Sequence, residues 1–126
     1  MFQRNAWHVA GWSAEVGREL TARRLFGEDL VLFRRADGTP AALADSCPHR
    51  RLPLSMGRLE GDAVVCGYHG LTFDGTGACV DAPTQRGAIP RRARVRAWPV
   101  ADRYDLLWIW PGDPALADPA LIPAVD

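Results

Sequence analysis

Apolar residues in this chain fall in short runs between turn residues, and the three-and-four spacing of an amphipathic helix is scarce. The runs predict strands over Ala6–Ala10, Leu20–Phe26, Leu30–Arg35, Ala41–Ala44, Ala63–Cys66, Leu71–Phe73, Val95–Val100 and Leu106–Trp110. Ala36-Asp37-Gly38-Thr39-Pro40 reads as the turn of a hairpin, and Asp74-Gly75-Thr76-Gly77 as a second tight turn. Ser13–Glu19 reads as a helical turn with Ser13 as its cap. The class implied is all-β, an antiparallel sandwich or barrel. After Trp110 the text becomes Pro- and Ala-rich, with too few apolar residues for a second core. The division expected is one domain over 1–112 and a connector over 113–126.

Composition narrows the function classes. A chain of 126 residues suits one self-supporting domain, and 48% hydrophobic with 24% charged residues is ordinary for a globular protein. All 15 basic residues are arginine, balanced by 15 acidic ones, so bulk charge gives no case for binding nucleic acid or a membrane surface. No apolar run approaches the roughly 20 residues that span a bilayer. The N-terminal segment lacks a secretory pattern, which by default implies a cytoplasmic location. Three cysteines in such a chain argue against a disulfide framework and leave thiols available as ligands.

Two segments carry the chemistry: Cys47-Pro48-His49 and Cys66-Gly67-Tyr68-His69, with 16 residues between them. Each supplies one thiolate and one imidazole where a strand gives way to a loop. Pro48 and Pro53 stiffen the first loop; Gly67 and Gly70 free the backbone of the second and allow it close to a cluster. Loops 46–57 and 66–74 are thereby expected to meet tip to tip around one centre. Two thiolates cancel the formal charge of about +2 on an oxidised 2Fe–2S core, so an electron enters more easily than with four thiolates. The rival is a structural zinc site, since Cys2His2 also suits zinc, although zinc sites usually use Cys–Cys and His–His pairs.

The segments Cys47-Pro48-His49-Arg50, Pro53-Leu54-Ser55, Gly57 and Cys66-Gly67-Tyr68-His69-Gly70 resemble the Rieske domain of ring-hydroxylating oxygenases and O-demethylases. Arg4–Ala10 and Trp108-Ile109-Trp110-Pro111-Gly112-Asp113 are similar to the oxygenase components of vanillate and dicamba O-demethylases. The resemblance implies an antiparallel β-sandwich base carrying a cluster-binding lobe over about residues 45–82. It implies a Rieske 2Fe–2S cofactor held by Cys47, His49, Cys66 and His69. It also implies a reductase or ferredoxin donor and, as acceptor, a non-haem iron catalytic domain, often on an adjacent subunit. Respiratory Rieske proteins place an extra Cys in each loop and hydroxyls two and four residues beyond the second His. Here those positions hold Leu52, Tyr68, Leu71 and Phe73, which implies a potential near the low end of the Rieske range, about −150 mV.

With His49 and His69 assigned to the cluster, only His8 remains, so this chain cannot form the two-His, one-carboxylate site that activates oxygen. Two contexts stay open: the N-terminal Rieske part of an oxygenase, or a stand-alone Rieske ferredoxin. Asp118–Pro123 resembles the passage by which the demethylases reach their catalytic domain, favouring the first. A zinc-stabilised binding module is the third reading.

Other residues have plainer expected roles. Cys79 is expected to be a buried small hydrophobe and His8 a core or surface histidine. Arg50 and Arg51 either dock an acidic redox partner or a neighbouring subunit, or are solvated loop charges. The run Arg91, Arg92, Arg94, Arg96 is expected to be a solvated edge that discourages strand pairing. The five tryptophans are expected to pack the core or an interface. Asp45 and Asp81 lie near the loops with no acid–base partner.

Overall fold

The computed structural model describes residues 4–47, 53–67, 71–81 and 94–123. Within them the fold is all-β, with strands β1 (His8–Trp12), β2 (Thr21–Leu25), β3 (Glu28–Arg34), β4 (Pro40–Ala44), β5 (Arg58–Glu60), β6 (Ala63–Val65), β7 (Thr72–Asp74), β8 (Cys79–Asp81), β9 (Ala97–Trp98), β10 (Val100–Arg103) and β11 (Leu106–Ile109). They form antiparallel sheets ordered β1-β11-β10, β2-β3-β4-β9 and β5-β6-β7-β8.

The β2-β3-β4-β9 sheet is the middle layer. Leu30, Val31, Leu32 and Phe33 of β3 are all 0% exposed. Val31 and Phe33 share a core with Val64 and Phe73, while Leu30 and Leu32 share another with Leu107 and Ile109. Side chains alternate across a strand, so an unbroken apolar run is what a strand needs when both of its faces are covered. The β2–β3 and β10–β11 hairpins turn through two residues with positive φ, Phe26-Gly27 and Tyr104-Asp105, as the right-handed twist of paired strands favours.

The structure departs from the predicted elements at definite points. The strand expected over Val95–Val100 is divided: β9 pairs with β4, and β10 pairs with β11 in another sheet. Pro99 stands at the crossing, where it has no N–H to give to a ladder, and its carbonyl accepts from the Trp110 amide at 3.0 Å. The helical turn expected over Ser13–Glu19 shrinks to a 3-10 turn at Ser13–Glu15, with Trp12 rather than Ser13 in the capping position. Strands β5 and β8 escaped the sequence reading, being three residues long and partly charged.

The described part of the Pro/Ala-rich stretch, up to residue 123, packs against the domain. Trp7, Trp108, Trp110 and Ile122 form a third core cluster. The Trp7 indole N–H donates to the Asp118 carbonyl at 2.8 Å, and the Trp110 indole to that of Asp113 at 2.8 Å. Trp12, by contrast, is 61% exposed and belongs to no core.

Candidate metal centre

Cys47 lies three residues beyond the end of β4, and Cys66 directly follows β6. Both thiols are buried, at 1% and 3% exposure, and neither forms a disulfide. They belong to one apolar cluster with Leu54, Leu71 and Phe73. The other predicted ligands, His49 and His69, lie outside the described residues, as do Pro48, Arg50, Arg51, Leu52, Tyr68 and Gly70.

The two ligand segments approach through their backbones. A Cβ on Gly57 would stand 1.9 Å from the Val65 carbonyl oxygen and 3.1 Å from the Gly67 nitrogen, on either side of Cys66 in sequence. Only a residue without a side chain permits that approach. Gly67 serves the same packing from the other side, with the Met56 carbonyl oxygen 3.3 Å from where its Cβ would be. The second loop is closed at its base by the Cys66 amide, which donates to the Leu71 carbonyl at 2.8 Å.

Asp45 has a partner that its sequence neighbourhood did not disclose. Its carboxylate accepts from the Ser55 amide and from the Ser55 hydroxyl, both at 2.6 Å. Asp45 and Ser55 stand ten positions apart and bracket the first ligand loop. The signal available was an Asp before the first ligand pair and a Ser after Pro53-Leu54, but nothing local couples them. The side chain of Asp81 lies outside the described set.

Leu71 and Phe73 are 4% and 0% exposed in the core that holds both cysteines. The positions where respiratory relatives would place hydroxyls are therefore apolar and packed.

The remaining candidates sit elsewhere. His8 pairs with Ile109 in the β1-β11-β10 sheet. Cys79 is half-buried against the shared core, more exposed than expected. Arg94 and Arg96 are more engaged than a solvated edge. Arg94 forms a β-bridge with Ala78, and Arg96 donates to the Pro111 carbonyl at 3.1 Å with its guanidinium 4.8 Å above the Trp98 ring. With Arg35 they line a groove of about 630 Å³ that holds neither cysteine. Arg91 and Arg92 are outside the described residues. Among those residues no helix is long and apolar enough to cross a membrane.

The donor set fits an iron–sulfur group on the part that the structure describes. Two buried thiols with no disulfide, set in one apolar core at matching strand ends, suit thiolate ligation of a soft metal. A buried thiolate is costly without a positive centre to pair with, and metal ligation supplies one.

Comparison with known proteins agrees. Residues 6–99 match the Rieske 2Fe-2S domain family. The chain is 51% identical over 122 residues to the oxygenase component of dicamba O-demethylase from Stenotrophomonas maltophilia, covering 97% of this chain and 36% of that protein. It is 40% identical to the vanillate O-demethylase oxygenase subunit of Pseudomonas sp. strain HR199, covering 97% and 34%. The crystal structure of apo dicamba monooxygenase superposes with a TM-score of 0.93 at 50% identity, over 98% of this chain and 38% of that one. The chain therefore spans about a third of the length of these relatives. Its cofactor is a Rieske-type 2Fe–2S cluster. On sequence, fold and donor set alike, this chain belongs to the Rieske 2Fe-2S domain family.

Proposed function

We propose that the chain relays single electrons in the cytoplasm from a reductase or ferredoxin to the mononuclear non-haem iron of an aromatic ring-hydroxylating or O-demethylating oxygenase. Cys47, His49, Cys66 and His69 hold the cluster. The observation that carries this reading is the pair of buried thiols, 1% and 3% exposed, gathered into one core from two loops that each bear a histidine in sequence. A 2Fe–2S cluster held by the Cys47 and Cys66 thiolates and the His49 and His69 imidazoles would supply one-electron redox chemistry when bound.

The chain's own residues set the conditions for that exchange. Leu54, Leu71 and Phe73 wall the thiols with apolar surface and exclude water, which controls local dielectric and hence potential. Gly57 and Gly67 let the two ligand segments touch through backbone alone. Residues 1–112 serve as the Rieske unit, with its cluster lobe over 45–82, and residues 113–126 as the passage toward a catalytic domain. His8 is the one histidine outside the proposed quartet, so the acceptor iron belongs to another part of the polypeptide or to a neighbouring subunit.

The test is an iron and acid-labile sulfide assay with a visible spectrum. A Rieske centre requires about two irons and two sulfides per chain and a reddish-brown oxidised form. Each of Cys47→Ser, His49→Ala, Cys66→Ser and His69→Ala is expected to abolish the colour. A colourless chain holding one zinc and no sulfide would overturn the reading.

A further inference from the structure

We propose that Asp45 and Ser55 form a positioning clamp that sets the first ligand loop, carrying Cys47 and His49, against the second loop at the separation that cluster assembly requires. The inference rests on the ligand assignment above and adds to it two residues that touch neither metal nor substrate.

Asp45 is anchored on the middle layer. Its amide donates to the Asp29 carbonyl at 2.9 Å, just before β3 reaches its buried run, and the preceding Ala44 amide donates to the Arg96 carbonyl at 2.8 Å. From this base its two carboxylate oxygens both engage Ser55, one on the amide and one on the hydroxyl, each at 2.6 Å. Hydrogen bonds to an ionised acceptor are short and strong, and two from one residue fix orientation as well as distance.

Ser55 passes that constraint on. Leu54 beside it is 0% exposed in the core containing Cys47 and Cys66. Met56 and Gly57 on its other side meet Gly67 and Val65, the residues flanking Cys66. One continuous path thus runs from the middle sheet through Asp45, Ser55 and Gly57 to Cys66. The two ligand loops are referenced to each other through it.

A plainer role exists for the same bonds. Ser55 lies in the 3-10 turn Leu54–Met56, which has no side-chain cap of its own, so Asp45 also satisfies an otherwise unpaired amide. A capping role alone predicts lost stability, with cluster retention falling only in proportion. A positioning role predicts that retention and the electronic signature of the cluster change more than stability does.

The experiment compares Ser55→Ala, Asp45→Ala and the conservative Ser55→Thr with Arg34→Gln, a destabilising control remote from the loops. Each purified chain is measured for sulfide per chain under a chelator, reduction potential, the electron paramagnetic resonance spectrum of the reduced form, and melting temperature. Ser55→Ala and Asp45→Ala are expected to lose sulfide about tenfold faster than wild type, the scale seen when residues that orient metal ligands are removed. Their spectrum and potential shift, and Ser55→Thr restores both. Arg34→Gln lowers the melting temperature at least as far while retaining cluster and spectrum. Sulfide loss that tracks melting temperature equally in all variants overturns the clamp, as does wild-type retention in Ser55→Ala. A wild-type chain without sulfide sinks the ligand assignment and the clamp together, whereas full wild-type sulfide with an indifferent Ser55→Ala sinks the clamp alone.

Discussion

Arg34 and Asp102 meet in a two-pronged ion pair, Nη1 to Oδ2 at 2.8 Å and Nη2 to Oδ1 at 2.9 Å. The same guanidinium donates to the carbonyls of Val16, Ser13 and Gly38, and the Ser13 hydroxyl donates to Asp102. One side chain therefore ties the end of β3, in the middle sheet, to β10 in the next. Planar, fixed donors suit arginine to this task better than lysine.

Removing Asp102 leaves those donors partly unmet. Asp102→Ala is expected to lower stability by about 1–2 kcal/mol, a modest figure because solvent screens a partly exposed pair. Hydrogen bonding from Arg34 holds the Asp102 carboxyl below the 3.8 of an unperturbed aspartate, with help from Ser13 and against its own burial. The group is thus more acidic folded than unfolded. Its contribution is complete above the unfolded value and is lost as pH falls through that value and then the folded one. Urea titrations should show wild type and Asp102→Ala well separated at neutral pH and converging below about pH 4, where carboxylates take up protons. Equal separation at both ends would refute the ionic account.

Gly57→Ala forces a methyl into the Val65 carbonyl, 1.9 Å away, where backbone must move rather than a flexible side chain. The expected cost is about 2–3 kcal/mol. Cluster content should fall with it, because the displaced backbone flanks Cys66, one of the proposed ligands. A melting temperature unchanged within error would show that the loops are not so tightly apposed.

The midpoint potential is expected near about −150 mV, and a value above roughly +100 mV would contradict the absence of hydroxyl donors at Leu71 and Phe73. Leu71→Ser, placing an acceptor-seeking hydroxyl where leucine is 4% exposed, should raise the potential. A voltammetric titration of both chains decides it.

With His69 as a proposed ligand, His69→Cys would move the centre toward a four-thiolate composition. If the cluster assembles, its potential should drop in the direction of the about −400 mV of plant-type ferredoxins. An unaltered potential would count against imidazole ligation at that position.

Truncation after Gly112 removes Ile122, 5% exposed, and the carbonyls that receive the Trp7 and Trp110 indoles. About 2–3 kcal/mol of stability should be lost, while cluster content stays at wild-type level because Cys47 and Cys66 belong to a different core cluster from Ile122. Loss of the cluster along with the tail would place the domain boundary beyond 112.

Much of the centre was readable in one dimension. Cys47 and Cys66 follow strands β4 and β6, as the strand-to-loop reading of their segments expected, because the ends of apolar runs are a local signal. The Leu30–Phe33 run and the Asp37-Gly38 and Gly75-Thr76 turns were legible too, since side-chain alternation and turn dihedrals are local properties. What escaped was set by partners distant in sequence. Strands β5 and β8 are too short and polar to declare themselves and exist through β6 and β7. The break at Pro99 could be suspected from its missing N–H, but which sheet each half joins depends on β4 and β11.

Sequence by itself thus determined the chemical identity of the centre and the all-β character of the chain, because ligand type, hydrophobic period and turn residues act within a few positions. Only the tertiary structure decided that β3 has cores on both faces, that Asp45 holds Ser55 and that Arg34 holds Asp102. Those pairings lie 10 and 68 positions apart. Contacts at such separations form when the whole fold has closed the intervening loops, and no local pattern encodes that closure.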